Sequence, residues 1–226
     1  MPSQNQPRMG AYEWVLLFAL SALWGGSFFL AKVAVAEVPP LTLVFYRVSI
    51  AALALLVYLG LRGITIPGGR GVWRGFLIMG LINNVVPFSL LFWGQERMDA
   101  GLASILNATM PIFTVLVAHR FTADEQITSG KLIGVLLGFA GVAVMLGSGF
   151  SGSAAIPPMA MLAVLGAALS YAFASVFGRT FRKLGVKPAQ VAFGQLTASS
   201  VLMVPMVLLW NPLPAPSLLS VGAALA

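Results

Sequence analysis

Between Leu132 and Gly178 the chain carries no aspartate, glutamate, lysine or arginine. That run is about twice the ~20 apolar residues a helix needs to cross the hydrocarbon core of a bilayer. It is too long for one spanning helix. The segment GSGFSGSAAIPP at 147–158 divides it, because glycine, serine and proline favour turns over continued helix. Two membrane spans therefore flank that segment. The composition extends the reading to the rest of the chain: 59% of residues are hydrophobic and 8% are charged, against about 25% charged in soluble domains. Too few charges remain to cover a water-facing surface. The fold class is an all-α polytopic membrane protein.

Charges bracket the remaining spans. After a short polar tail at 1–11, the spans fall at about 12–32, 40–60, 75–95, 101–119, 130–148, 158–178 and 188–210. Pro111 lies inside the fourth and is expected to kink it. NPLPAP at 211–216 is a second neutral loop, and an eighth span opens at Ser217. From Ser217 to Ala226 the chain is too short to cross a bilayer at ~1.5 Å per residue. The sequence is thus expected to be a fragment with about seven and a half helices, transporting poorly on its own.

Loop charge orients the spans. Arg62, Arg70 and Arg74 lie in one loop, Arg120 and Lys131 in another, and Arg179, Arg182, Lys183 and Lys187 in a third. These loops alternate with AEVPP, QERMDAG, GSGFSGSAAIPP and NPLPAP, which hold little positive charge. Basic loops stay on the cytoplasmic side. The N-terminus, with Arg8, falls on that side too. The net charge of +7 is therefore loop charge, and no nucleic-acid partner is expected. With no cysteine and one histidine, His119, no disulfide, metal or cofactor site is expected. GGRGVWRG and GSGFSG lack the Lys-Ser/Thr ending of a nucleotide-binding loop. Asp124 and Glu125 precede the fifth span, where acids complement the positive end of a helix. Glu125 is read as structural. No acid lies at mid-membrane depth, so proton exchange through a buried carboxylate has no support.

The first two spans recur. ALSALWGGSFFLAK (19–32) aligns with AALSYAFASVFGR (167–179), placing Trp24 opposite Tyr171 and Lys32 opposite Arg179. PLTLVFYRVSIAAL (40–53) aligns with PAQVAFGQLTASSV (188–201), placing Arg47 opposite Gln195. Five spans separate the copies, and an odd number inverts the second in the membrane. Inverted repeats are the architecture of many secondary transporters, with the substrate path between the halves.

WGGSFFLAKVAVAEVPPLTLVFYR, with Trp24-Gly25, Lys32, Pro40 and Arg47 in order, resembles the opening of an EamA-type domain of the drug/metabolite transporter superfamily. SILNATMPIFTVLVAHRFTADEQITSGKLIGVLLGFAGVAVML, with Pro111, Glu125, Gly134 and Gly141, resembles its end. The resemblance covers a full first repeat at 12–148 and a partial second at 157–226. It implies a ten-helix parent in two inverted five-helix repeats, carrying small metabolites or drugs, often outward, across the inner membrane.

Several mid-span residues are candidates for the substrate path. Arg47 interrupts LTLVFYRVSIAALALLVYLG at 41–60. Ionisable residues inside spans usually face the bundle interior or a water-filled path. Arg47 is read as a carboxylate anchor or an interhelical lock, with snorkelling along its stem as the alternative. Asn83 and Asn84 give the third span a polar centre, and Pro87 after them frees backbone carbonyls. Trp24 and Tyr171 sit away from the interfacial belts. Ser27 and Gln195 complete the set, with Gln95 and Asn107 weaker candidates because each lies nearer a helix end. Gly25 and Gly26 read as close helix contacts. Convergence of Arg47, Asn83 and Asn84 on one cavity between spans one, two, three and six would favour a carrier working by alternating access. A dispersed set would favour a non-catalytic scaffold or subunit. An integral membrane enzyme would need a cluster of ionisable or metal-binding residues. The expected partners are a small-molecule substrate and the bilayer, with the oligomeric state open.

Overall fold

The computed structural model describes residues 10–122, 127–149 and 157–210. Glu125, the centre of the 147–158 loop, NPLPAP and the segment from Ser217 lie outside the described residues. Among the described residues every regular element is helical: α1 (Ala11–Ala34), α2 (Pro40–Leu61), α3 (Arg70–Gly80), α4 (Val86–Gln95), α5 (Ala100–Asn107), α6 (Met110–Phe121), α7 (Ser129–Gly149), α8 (Pro158–Lys183) and α9 (Pro188–Trp210). A π-turn over Leu81–Val85 joins α3 to α4. Six helical segments are long and apolar enough to span a bilayer, with α3–α4 and α5–α6 each counting as one, and α7 adds a shorter apolar helix over Ser129–Val142. The chain is an all-α polytopic membrane protein.

Local chemistry sets the helix ends. Pro40 and Pro158 occupy the first turns of α2 and α8, where no backbone N–H is needed. Both helices end on glycines in the left-handed region, Gly63 (φ 60°) and Gly185 (φ 69°). Each is followed by an N–H that reaches back five residues: Ile64 N to Leu59 O at 2.9 Å and Val186 N to Phe181 O at 3.0 Å. These reversals satisfy helix-end carbonyls that would otherwise be unpaired.

Proline also explains both interrupted spans. Pro87 cannot donate to the carbonyl four residues back, and the turn before it widens, so that Val86 N bonds Leu81 O rather than Ile82 O. Ile82 O instead accepts the Ser170 hydroxyl of α8 at 2.6 Å. In the fourth span the helix breaks at Ala108–Thr109, one turn before Pro111, which has no N–H for Asn107 O.

The outward faces are greasy. Leu16, Phe18, Leu53, Val57, Leu136, Leu137, Val201 and Leu208 are all exposed. An exposed apolar surface this extensive would drive association in water; in lipid it is the solvated face. Inside, α2 packs along α9, α4 and α6 along α8, and α3 along α9. The larger core joins Phe28, Val44, Val48, Phe92, Leu106, Val164 and Met203. A smaller core of Phe76, Met79, Ala174, Phe181 and Ala198 sits toward the basic loops. Helix α1 differs from the rest: residues 11–26 are exposed throughout, and burial begins at Phe28.

Candidate functional site

One helical stripe on α1 and one on the third span face each other across a cavity of about 270 Å³. On α1 the lining residues are Leu20, Leu23, Trp24, Ser27, Phe28 and Ala31. On the third span they are Asn83, Asn84, Phe88, Leu91, Phe92 and Gln95. Steps of three and four place a residue back on the same helix face, so each stripe is continuous by geometry. Arg47 of α2, Asn107 of α5 and Tyr171 of α8 close the remaining sides. The volume lies just under the ~300–1,000 Å³ range of small-molecule pockets.

The aromatic wall is ordered. Phe88 stacks on Phe92 with centroids 5.8 Å apart and meets the Tyr171 ring edge-on at 6.3 Å. Tyr171 is buried, whereas Trp24 is 48% exposed at the α1 side of the cavity. The Arg47 guanidinium lies over Phe88, 5.1 Å from the ring centroid, and lines the same cavity as Tyr171. Its side chain faces the interior rather than the membrane surface. Among the described residues no carboxylate and no hydrogen-bond acceptor pairs with it.

Each asparagine at the π-turn donates one hydrogen bond across to α9. Asn84 Nδ2 donates to Ser199 Oγ at 2.9 Å, and Asn83 Nδ2 donates to Gln195 Oε1 at 3.2 Å. Ser199 Oγ lies 3.1 Å from Gly80 O and 2.6 Å from Gln195 O. The widened turn is therefore held by α8 through Ser170 and by α9 through Gln195 and Ser199. Gln195 belongs to this seam and does not line the cavity; it borders a separate depression with Arg182 and Lys187.

A second lock closes the far end of α1. Gln95 is wholly buried; its Nε2 donates to Phe28 O at 2.9 Å, while Lys32 Nζ donates to Gln95 O at 2.6 Å. Gln95 Oε1 and Asn107 Oδ1 are buried and have no hydrogen-bond partner among the described residues.

Trp24, Ser27, Arg47, Asn83, Asn84, Asn107 and Tyr171 thus meet at one cavity. Phe28, Phe88 and Phe92 were not singled out from sequence, although their spacing from Trp24 and Asn84 was there to read. Gln95 was underrated because it lies at a helix end. Gly25 and Gly26 lie against no other described helix: nothing described comes within 4 Å of where a Cβ would stand. Among the described residues no group of histidine, aspartate or glutamate could hold a metal ion.

Residues 12–147 match the EamA-like transporter family. The "Uncharacterized inner membrane transporter YedA" of Escherichia coli K12 is 32% identical over 209 residues, covering 89% of this chain and 64% of that protein. The "Probable amino-acid metabolite efflux pump" of the same organism is 25% identical over 182 residues, covering 80% of this chain and 58% of that protein. The chain thus spans less than two thirds of the length of these curated relatives. A crystal structure superposes with a TM-score of 0.62 at 22% identity, covering 89% of this chain and 74% of that one, a likeness of fold.

Proposed function

This chain belongs to the EamA-like transporter family, and on that premise we propose that it forms part of a secondary carrier moving small organic metabolites outward through the cavity at Arg47. The convergence of Arg47, Asn83, Asn84, Trp24 and Tyr171 on one cavity is the observation that carries the reading. Alternating access would move α1 and α2 relative to α8 and α9, the two halves of the inverted repeat. The π-turn is a natural flexing point, since it already departs from the regular ladder. A carrier must open each side in turn, and the lock between Gln95, Phe28 and Lys32 is placed to hold one end closed. Export agrees with the name of the efflux-pump relative.

Efflux of a metabolite mixture from liposomes containing the intact protein, read by mass spectrometry, tests this. Some solutes should leave faster than from protein-free liposomes; identical loss of every solute refutes a carrier. Orientation is tested separately. Cysteines replacing Ile66 and Leu184 should label only from the cytoplasmic side, and one replacing Ser153 only from outside; the reverse pattern overturns the proposed sidedness.

A further inference from the structure

We infer that the cavity selects small organic anions, with a substrate carboxylate seated on Arg47 and an apolar body against the aromatic wall. This rests on the carrier reading only for passage across the membrane; the binding claim stands on the cavity itself. Arg47 is the single charged residue on the lining, which includes no acid. Several other donors around it are engaged within the protein. Asn83 and Asn84 give N–H groups to Gln195 and Ser199, and the Ser27 hydroxyl donates to Trp24 O at 2.7 Å. The guanidinium brings five N–H groups in a planar fork that matches a carboxylate, and no described residue takes them up. A partly buried charge without a partner is costly, and a ring face at 5.1 Å offsets only part of that cost. An anion from outside the protein supplies the missing partner.

The rest of the lining fixes the other half of the solute. Trp24, Phe28, Phe88, Phe92 and Tyr171 present apolar surface and ring faces to a body of modest size. A cation would meet the like charge of Arg47 with no acid to offset it. The anionic class also has an energetic consequence. A membrane potential of 100 mV, negative inside, favours exit of one negative charge by about 50-fold at equilibrium. Outward movement of an anion therefore needs no coupling proton, which fits spans in which no acid was found at mid-membrane depth.

Three probes of similar shape separate the possibilities: phenylacetate, the neutral phenylacetamide and the cationic phenethylammonium. Their binding to the intact protein in detergent can be followed by tryptophan fluorescence, Trp24 being at the cavity. Phenylacetate should bind about tenfold tighter than the amide, the scale of a charge-assisted pair, and the cation weakest. Arg47→Gln should bring acid and amide within about twofold. Arg47→Lys should keep part of the preference. A cooperative thermal unfolding transition of Arg47→Gln in detergent shows that the fold is retained. Equal binding of the three probes, no binding of the acid, or an acid preference that survives Arg47→Gln overturns the inference. Currents on a solid-supported membrane then test passage. Arg47-dependent binding without current leaves the anion site standing and removes the carrier; equal efflux of all three solutes from liposomes leaves the carrier standing and removes the anion site.

Discussion

The polar seam between the third span and α9 and the cavity at Arg47 share Asn83 and Asn84, yet they treat polarity in opposite ways. In the seam the polar side chains meet one another: Asn84 donates to Ser199, Asn83 donates to Gln195, and Ser199 lies against the carbonyls of Gly80 and Gln195. In the cavity the strongest donor, Arg47, has a ring beneath it and no described acceptor. Both kinds of site cost free energy to bury in a membrane. The seam recovers it within the protein and fixes the position of the π-turn. At Arg47 the described residues leave it unrecovered, which is the ground for the proposed anion site. Polar residues at mid-span are therefore not one class, and the difference shows in whether their hydrogen bonds close.

Substitutions can break that contrast from either side. The largest effect is expected at Gly80, where a Cβ would come 2.8 Å from both Gln195 O and Ser199 Oγ. Gly80→Ala must push α3 from α9, and overpacking of this kind costs ~1–3 kcal/mol. Thermal unfolding in detergent should show it as the greatest loss among the variants here. Asn84→Leu removes a single interhelical hydrogen bond at a buried position. Such bonds in membranes average ~0.6 kcal/mol and reach ~1.7 kcal/mol, so its loss should be smaller than that of Gly80→Ala. An Asn84→Leu protein that unfolds earlier than Gly80→Ala would mean that the hydrogen bond, rather than the close approach, holds the seam. Gly25→Ala is the smallest. With open space around its Cβ position, it should lose no stability and gain at most ~0.5–1 kcal/mol from reduced backbone freedom. A clear loss there would reveal a helix contact that the described residues do not make.

The two stripes that build the cavity were partly legible. Trp24, Ser27, Asn84 and Arg47 stand out by residue type, because amphipathic and polar side chains are rare at mid-span. Phe28, Leu91 and Phe92 do not, since apolar residues at helical spacing face lipid as readily as a neighbour. Gln95 reads as a weaker candidate from its place near a helix end, yet it is wholly buried and bonds Phe28 of α1. Pro87 announced a disturbed helix, but not that Leu81–Val85 would form a π-turn held by Ser170. Gln195 shows where repeat alignment stops helping. It occupies the position related to Arg47, yet bonds Asn83 across a helix pair and stands off the cavity.

Sequence alone determined that this chain lives in a membrane as a set of apolar helices. Twenty-residue uncharged runs leave no other means of satisfying the backbone in lipid. It also marked the prolines that interrupt two spans, because a missing N–H acts locally. The tertiary structure decided which polar residues are spent on one another and which meet no described partner. That distinction depends on distances between helices far apart in the chain: Asn84 to Ser199, Gln95 to Phe28, and Arg47 to Phe88. Helical periodicity fixes which face a residue occupies, but only packing sets what that face meets.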